Sequence, residues 1–344
     1  MIEGFLNESE KSRRIQEIYD ALQDSESKMI YEARSIFSIT GNRDKLINTI
    51  HDSQIAREVL KQIQQHNEKK ILLFGAGAFG RWMMKCLPEI KWDRVCDNHK
   101  AGVQMNEYTV VSFDSIKQDC QGFFYIISIE FQWRSVYEQL MEAGVNESDI
   151  FSVGKYIEEH QYFDLPELKL GKQEVFVDAG GFDGSTSEMF IRATHGEYDH
   201  ICIFEPGSIE AARCEERLKE YHDVKIVRKA LWDSAKTLCF NENGHESYIS
   251  QTGDKAIETV SLDSKLNGGP VTYIKMDIEG AEIHALKGAM NTIRQHKPKL
   301  AISVYHSRND IWAIPRLILD MCPDYKLYLR MYAFTGNEVV LYAL

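Results

Sequence analysis

The run Tyr273–Met290, YIKMDIEGAEIHALKGAM, sets three carboxylates at the end of an apolar segment: Asp277, Glu279 and Glu282. A second run, LAISVYHSRNDIW, carries Tyr305 and His306 at the end of another. Carboxylates beside a histidine can take a proton from a weak acid such as a hydroxyl, and histidine titrates near neutral pH unaided. His306 is therefore expected to be the base, with Asp277 and Glu279 orienting it or the hydroxyl. Glu282 falls in the first turn of the following helix, where a carboxylate favourably meets the helix dipole. Lys275 faces away from its strand neighbours and reads as a partner for a carboxylate. Arg308, Asp310 and Trp312 could contact a sugar, Trp312 by stacking and the charged pair by hydrogen bonds.

Two glycine turns could hold ligands. The first, GAGAFG, is a true G-x-G-x-x-G built on Gly75, Gly77 and Gly80. It follows a strand and opens a helix, and Asp97 ends the next strand where a ribose-binding acid belongs, so it reads as a possible nucleotide site. The second, DAGGFDG, places Gly180, Gly181 and Gly184 outside that fingerprint. Asp178 and Asp183 flank it and would repel a phosphate but suit a cation. Glu205 ends the next apolar run, HICIFEP, and could accept both hydroxyls of a ribose.

The elements that must carry these residues alternate along the chain. Residues 1–66 contain no proline and show apolar residues at helical spacing, which predicts a helical arm packed on a neighbouring domain or a second subunit. Residues 67–157 alternate strands with helices, as in a small Rossmann-like α/β domain. A polar stretch, 158–173, reads as a linker. Residues 174–344 supply seven strands: VFVDA, HICIFE, VKIVRKAL, TYIKMD, KLAISVY, YKLYLRMY and EVVLYAL. The last two are joined by the hairpin-length AFTGN, so the sheet is expected to be parallel with one antiparallel strand.

Composition narrows the functions. The 344 residues are 44% hydrophobic and 27% charged with a net charge of −12, which argues against a nucleic-acid partner. No apolar run reaches membrane-spanning length, and the N-terminus has no signal-peptide core. The seven cysteines form no C-x-x-C pair, so we expect buried thiols in a reducing cytoplasm rather than structural zinc or disulfides.

The seven-strand pattern is that of class I S-adenosylmethionine (SAM) methyltransferases. SAM carries a sulfonium and an ammonium for the acidic turn, and its own carboxylate could take the turn's N–H groups. Within this pattern FVDAGGFDGST, IFEP, KALWD, SLDS and YIKMDIEGAEIHALKGA follow one another as in FkbM-type methyltransferases, which residues 174–344 resemble. The resemblance implies SAM as methyl donor and a hydroxyl acceptor on a sugar or related natural-product or cell-surface precursor. It carries the cofactor and active site onto Asp178, Gly180, Gly181, Gly184, Glu205 and Asp277, and Asp183, Thr186 and Pro206 beside them are expected to join the cofactor contacts. Phe182 stands where the family often has Asn and cannot make that amide's hydrogen bonds. Carboxylates with a histidine could hold Mg²⁺, but spacing alone does not call for it and no metal is expected. The rival readings are a nicotinamide-dependent oxidoreductase or nucleotide-sugar-binding protein using the first turn, and a binding module that has lost its chemistry.

Overall fold

The structure, a computed structural model, describes residues 8–241, 248–250 and 255–344. By contact density the chain forms two units. The larger comprises the described residues up to Thr40 with 162–330 and 339–344, and the smaller comprises 41–161 with 331–338. These divisions fall at different points from those drawn on the sequence, because the first two helices pack within the larger unit.

The larger unit is built on a seven-stranded sheet. Its order is Leu327–Met331, Val339–Ala343, Lys299–Ser303, Tyr273–Met276, Val175–Ala179, His200–Phe204, Val224–Val227. Val339–Ala343 runs antiparallel to Lys299–Ser303, while the strands from there to Val224–Val227 pair in parallel. Every strand foreseen in the sequence is present, in the arrangement of a class I, Rossmann-like methyltransferase sheet. Its central strands are buried on both faces, which explains their nearly unbroken apolar runs. A further small sheet of Ala230–Leu231, Thr237–Asn241, Tyr248–Ser250 and Lys255–Val260 was not foreseen. Only the brief alternation in TLCFN and KAIETV could have signalled it.

Helices Glu8–Ala21 and Ser25–Thr40 pack on helix Asp310–Met321. Ile18, Leu22, Ile30 and Tyr31 are buried there, so these faces are covered within one chain. Ser27 Oγ accepts the Leu329 N–H at 2.9 Å, tying the second helix to the edge strand.

The smaller unit holds a parallel four-stranded sheet ordered Arg94–Cys96, Lys70–Phe74, Phe123–Ile127, Ile150–Ser152, as the alternation predicts. All seven cysteines are free, and six are buried. Among the described residues no helix is long and apolar enough to cross a membrane.

Candidate active site

Sheet register brings the candidate residues to one edge. Ala179 pairs with Phe204 on one side and with Met276 on the other, and Met276 pairs with Ile302. Gly180, Glu205, Asp277 and Ser303 therefore leave the sheet at the same level, at its carboxyl end, where ligands of open α/β sheets bind.

The Gly180–Gly184 turn folds back onto those strand ends. Gly180 and Gly184 both have φ +81°, and a Cβ on Gly180 would lie 2.0 Å from the Asp277 carbonyl oxygen. A Cβ on Gly181 would meet Ile203 at 2.2 Å. Close packing of this kind is what the glycines supply. It also engages most of the turn's donors. The N–H groups of Gly180 and Gly181 bond the Phe204 carbonyl, that of Gly184 bonds the Gly181 carbonyl, that of Ser185 bonds Asp183, and that of Phe182 bonds Glu205. Phe182 occupies the left-handed region at φ +48°, the backbone conformation that asparagine tolerates best among residues with a Cβ.

The two aspartates flanking the turn are held by protein cations. Asp178 is fully buried, 3.0 Å from Lys275 Nζ, and accepts the Ser187 hydroxyl at 2.8 Å. Lys275 also donates to the Gly180 carbonyl at 2.8 Å. Asp183 pairs with Arg217 at 2.7 Å and caps the Ser185 N–H. Both act on the shape of the turn. Thr186 stands partly exposed in the first turn of helix Ser185–Ala193, and Pro206 follows Glu205 at the edge.

Glu205 presents a different picture. It is buried, and its two oxygens accept the Phe182 N–H at 2.9 Å and the Gly207 N–H at 2.8 Å. Burial, with the nearby Glu210 charge, pushes its pKa up to about 7 despite those two bonds. Glu210 is equally buried, and its Oε2 has no hydrogen-bond partner. Two buried carboxylates therefore adjoin with acceptor capacity unused, an arrangement that calls for a donor-rich ligand. The sequence reading missed Glu210, which sits one helical turn beyond Gly207.

At the next two strand ends, His306 meets three carboxylates. Its Nδ1 lies 3.0 Å from Glu282, and its Nε2 lies 3.4 Å from Asp277 and 3.5 Å from Glu279. Burial opposes the charged form, but Glu282, Asp277 and Glu279 together push its pKa up to about 10. An imidazole with that shift holds a proton at neutral pH, which its three carboxylate neighbours stabilise. Asp277 is held below its ordinary range: burial acts to raise it, and the His306 and Lys275 charges with the Tyr162 hydrogen bond outweigh that. Tyr162 OH donates to Asp277 at 2.8 Å, from a stretch the sequence reading treated as a linker. Glu279 lies outermost, with its side chain 37% exposed and its backbone at φ +53°.

The loop after His306 is tied to the N-terminal helices. Trp312 Nε1 donates to Ser35 at 2.9 Å, the Arg308 carbonyl accepts the Ser38 hydroxyl, and Asp310 is buried as an acceptor for the Ser307 N–H. Trp312 stays half-buried with its N–H committed to Ser35, and the Asp310 carboxylate is committed to the Ser307 N–H.

In the smaller unit, the first glycine turn is engaged by its own surroundings. A Cβ on Gly80 would meet the Gly75 carbonyl oxygen at 2.2 Å, and Ser128 Oγ donates to that oxygen at 2.9 Å. Gly77 opens helix Ala78–Cys86. Asp97 accepts the N–H groups of Ala76, His99 and Lys100. This is an acid shaping its own loops.

Comparison with known proteins follows this geometry. A family model described as a methyltransferase FkbM domain matches residues 106–334. The solved structure of methyltransferase FkbM from Methylobacillus flagellatus KT is similar over 93% of this chain and 99% of its own, with 17% identity and a TM-score of 0.52. Fibrillarin from Aeropyrum pernix in complex with natively bound S-adenosyl-L-methionine is similar over 55% of this chain and 74% of its own, with 9% identity and a TM-score of 0.37. No curated protein matches.

Proposed function

The chain belongs to the FkbM methyltransferase family, and from that premise we propose that it transfers methyl groups from SAM to a hydroxyl of a sugar or related precursor. The observation that carries the SAM assignment is the buried Glu205–Glu210 pair, with Glu210 Oε2 lacking a donor. Vicinal ribose hydroxyls supply the donors that such a pair lacks. Glu205 and Glu210 would hold that ribose beside the tightly folded Gly180–Gly184 turn.

When bound, SAM supplies an electrophilic methyl group on sulfur. The chain's part is positioning and proton management. Asp277, fixed by the Tyr162 hydroxyl and flanked by His306, faces the same strand edge as Glu205 and would orient the acceptor hydroxyl. Glu279, the most exposed carboxylate of the group, is the residue that would pass the acceptor's proton to solvent. We assign the protein to a reducing cytoplasm on the ground that none of its seven cysteines is bonded to another.

Calorimetry of the full chain with SAM and S-adenosylhomocysteine tests the reading. Glu205→Ala should weaken SAM binding by about 1–3 kcal/mol, the range for losing a charged hydrogen-bond partner. Asp97→Ala, at the other glycine turn, should leave it unchanged. The opposite pattern, or stabilisation by NADH or a nucleotide sugar with no response to SAM, would overturn the assignment.

A further inference from the structure

The carboxylates around His306 leave a feature that methyl transfer alone does not require. The His306 side chain is only 8% exposed, and neither ring nitrogen makes a hydrogen bond. Oxygens of Glu282, Asp277 and Glu279 stand 3.0–3.5 Å away as ion-pair neighbours, with none well aligned to an N–H direction. A buried ring set among carboxylates in this way suits a shared cation as well as a proton.

We propose that Asp277, Glu282 and His306 form a binding site for one divalent cation of the Mn²⁺ or Mg²⁺ class. One ligand atom from each lies within 4.8 Å of the others. Ligands about 2.1 Å from an ion sit about 3–4 Å from one another in an octahedral shell, so a set spread over 4.8 Å needs only a small inward adjustment of its side chains. The three residues come from separate rigid positions: a strand end, the first residue of helix Glu282–Lys287, and the segment after strand Lys299–Ser303. Outer contacts already orient the ligands. Tyr162 OH holds Asp277 Oδ2, and the Ile278 N–H holds Glu282 Oε1 at 2.9 Å. Such second contacts are typical supports of metal ligands. Charge points the same way: three carboxylates surround one imidazole, and the ion would displace to solvent the proton that they otherwise hold on the ring. An oxygen-rich set with one imidazole favours Mn²⁺, with Mg²⁺ as a weaker competitor. Placed there, the ion would acidify a bound hydroxyl. That last role rests on the methyltransferase reading, whereas ion binding itself does not.

Mn²⁺ binding to the full chain, followed by loss of the free-ion electron paramagnetic resonance signal, tests the site. One Mn²⁺ per chain is expected, with electron spin-echo modulation from a coordinated imidazole nitrogen. His306→Gln should abolish the modulation and weaken binding at least about tenfold, and Tyr162→Phe should weaken it by about tenfold as an outer-contact change. No stoichiometric binding by the wild-type chain, or a wild-type Mn²⁺ signal without imidazole modulation, overturns the proposal even if a variant fails to fold. SAM calorimetry on the same samples separates the two ideas: SAM binding without Mn²⁺ sinks the metal site alone, and Mn²⁺ binding without SAM sinks the methyl-donor reading alone.

Discussion

At Glu205, burial and hydrogen bonding pull in opposite directions, and burial prevails: the carboxyl stands at about 7 in the folded chain against an ordinary 4.5. A group raised on folding holds its proton in the native state where the unfolded chain releases it, so stability falls as pH rises through that window. Urea unfolding of the ligand-free protein should show wild type losing up to about 3 kcal/mol relative to Glu205→Gln between pH 4.5 and 7.5. Parallel pH curves for the two proteins would contradict this. The Asp178–Lys275 pair gives a second residue-scale test. Both side chains are essentially inaccessible, so Lys275→Met should cost about 3–5 kcal/mol by leaving a buried carboxylate unpaired. Asp178→Leu combined with Lys275→Met should cost less than that single change in chemical denaturation. Residue types at the site were legible in the sequence: Asp277, Glu279, Glu205 and His306 do meet one sheet edge. Their partners were not, because pairing depends on register. Lys275 reaches Asp178 because the two strands align them directly, and Tyr162 reaches Asp277 from a distant stretch of chain.

Among the elements, strands were read well because central parallel strands are apolar on both faces and bounded by glycine or acidic residues. The Gly180–Gly184 turn was legible, but what it packs against was not. A sequence shows that glycine permits close approach without showing what approaches, and at Gly180 the Asp277 carbonyl does. Gly180→Ala and Gly268→Ala separate these effects, since both sites have φ +81° but only Gly180 is crowded. Backbone strain alone should cost about 1–2 kcal/mol at Gly268. At Gly180 the clash adds to it, so the loss should exceed that of Gly268→Ala clearly in urea melts. Equal losses would mean that the turn can shift away from Asp277. The loop after His306 carries the same lesson. Trp312 and Asp310 looked like ligand contacts because they follow a catalytic-looking strand end, yet their partners lie on helix Ser25–Thr40 and at Ser307.

For the whole molecule, the first two helices tie distant parts of the sequence into the larger unit. Their apolar faces cover helix Asp310–Met321, Leu22 bridges to Leu327 beside the edge strand, and Asp24 pairs with Arg330 at 2.7 Å. A periodic pattern could show that residues 8–40 are helical but not which surface they cover, since that contact spans nearly the full chain. We propose that residues 174–344 are a SAM-binding body dependent on that cover. A fragment starting at Leu168 keeps every strand of the seven-stranded sheet but loses both helices and Tyr162. Removing the helices uncovers the face of helix Asp310–Met321 that carries Trp312 and Arg316, and takes away Ile18, Leu22, Ile30 and Tyr31, all buried in the intact chain. Losing the burial of apolar side chains of this size costs about 1.5–3 kcal/mol each, comparable in sum to the whole stability of an ordinary domain. The fragment should therefore lack a cooperative thermal transition and bind SAM poorly. Adding a peptide of residues 8–40 should restore a concentration-dependent transition, as expected when a ligand binds only the folded form. A fragment that melts as sharply as the full chain, binds SAM with equal affinity and ignores the peptide would show that the sheet stands without its N-terminal cover.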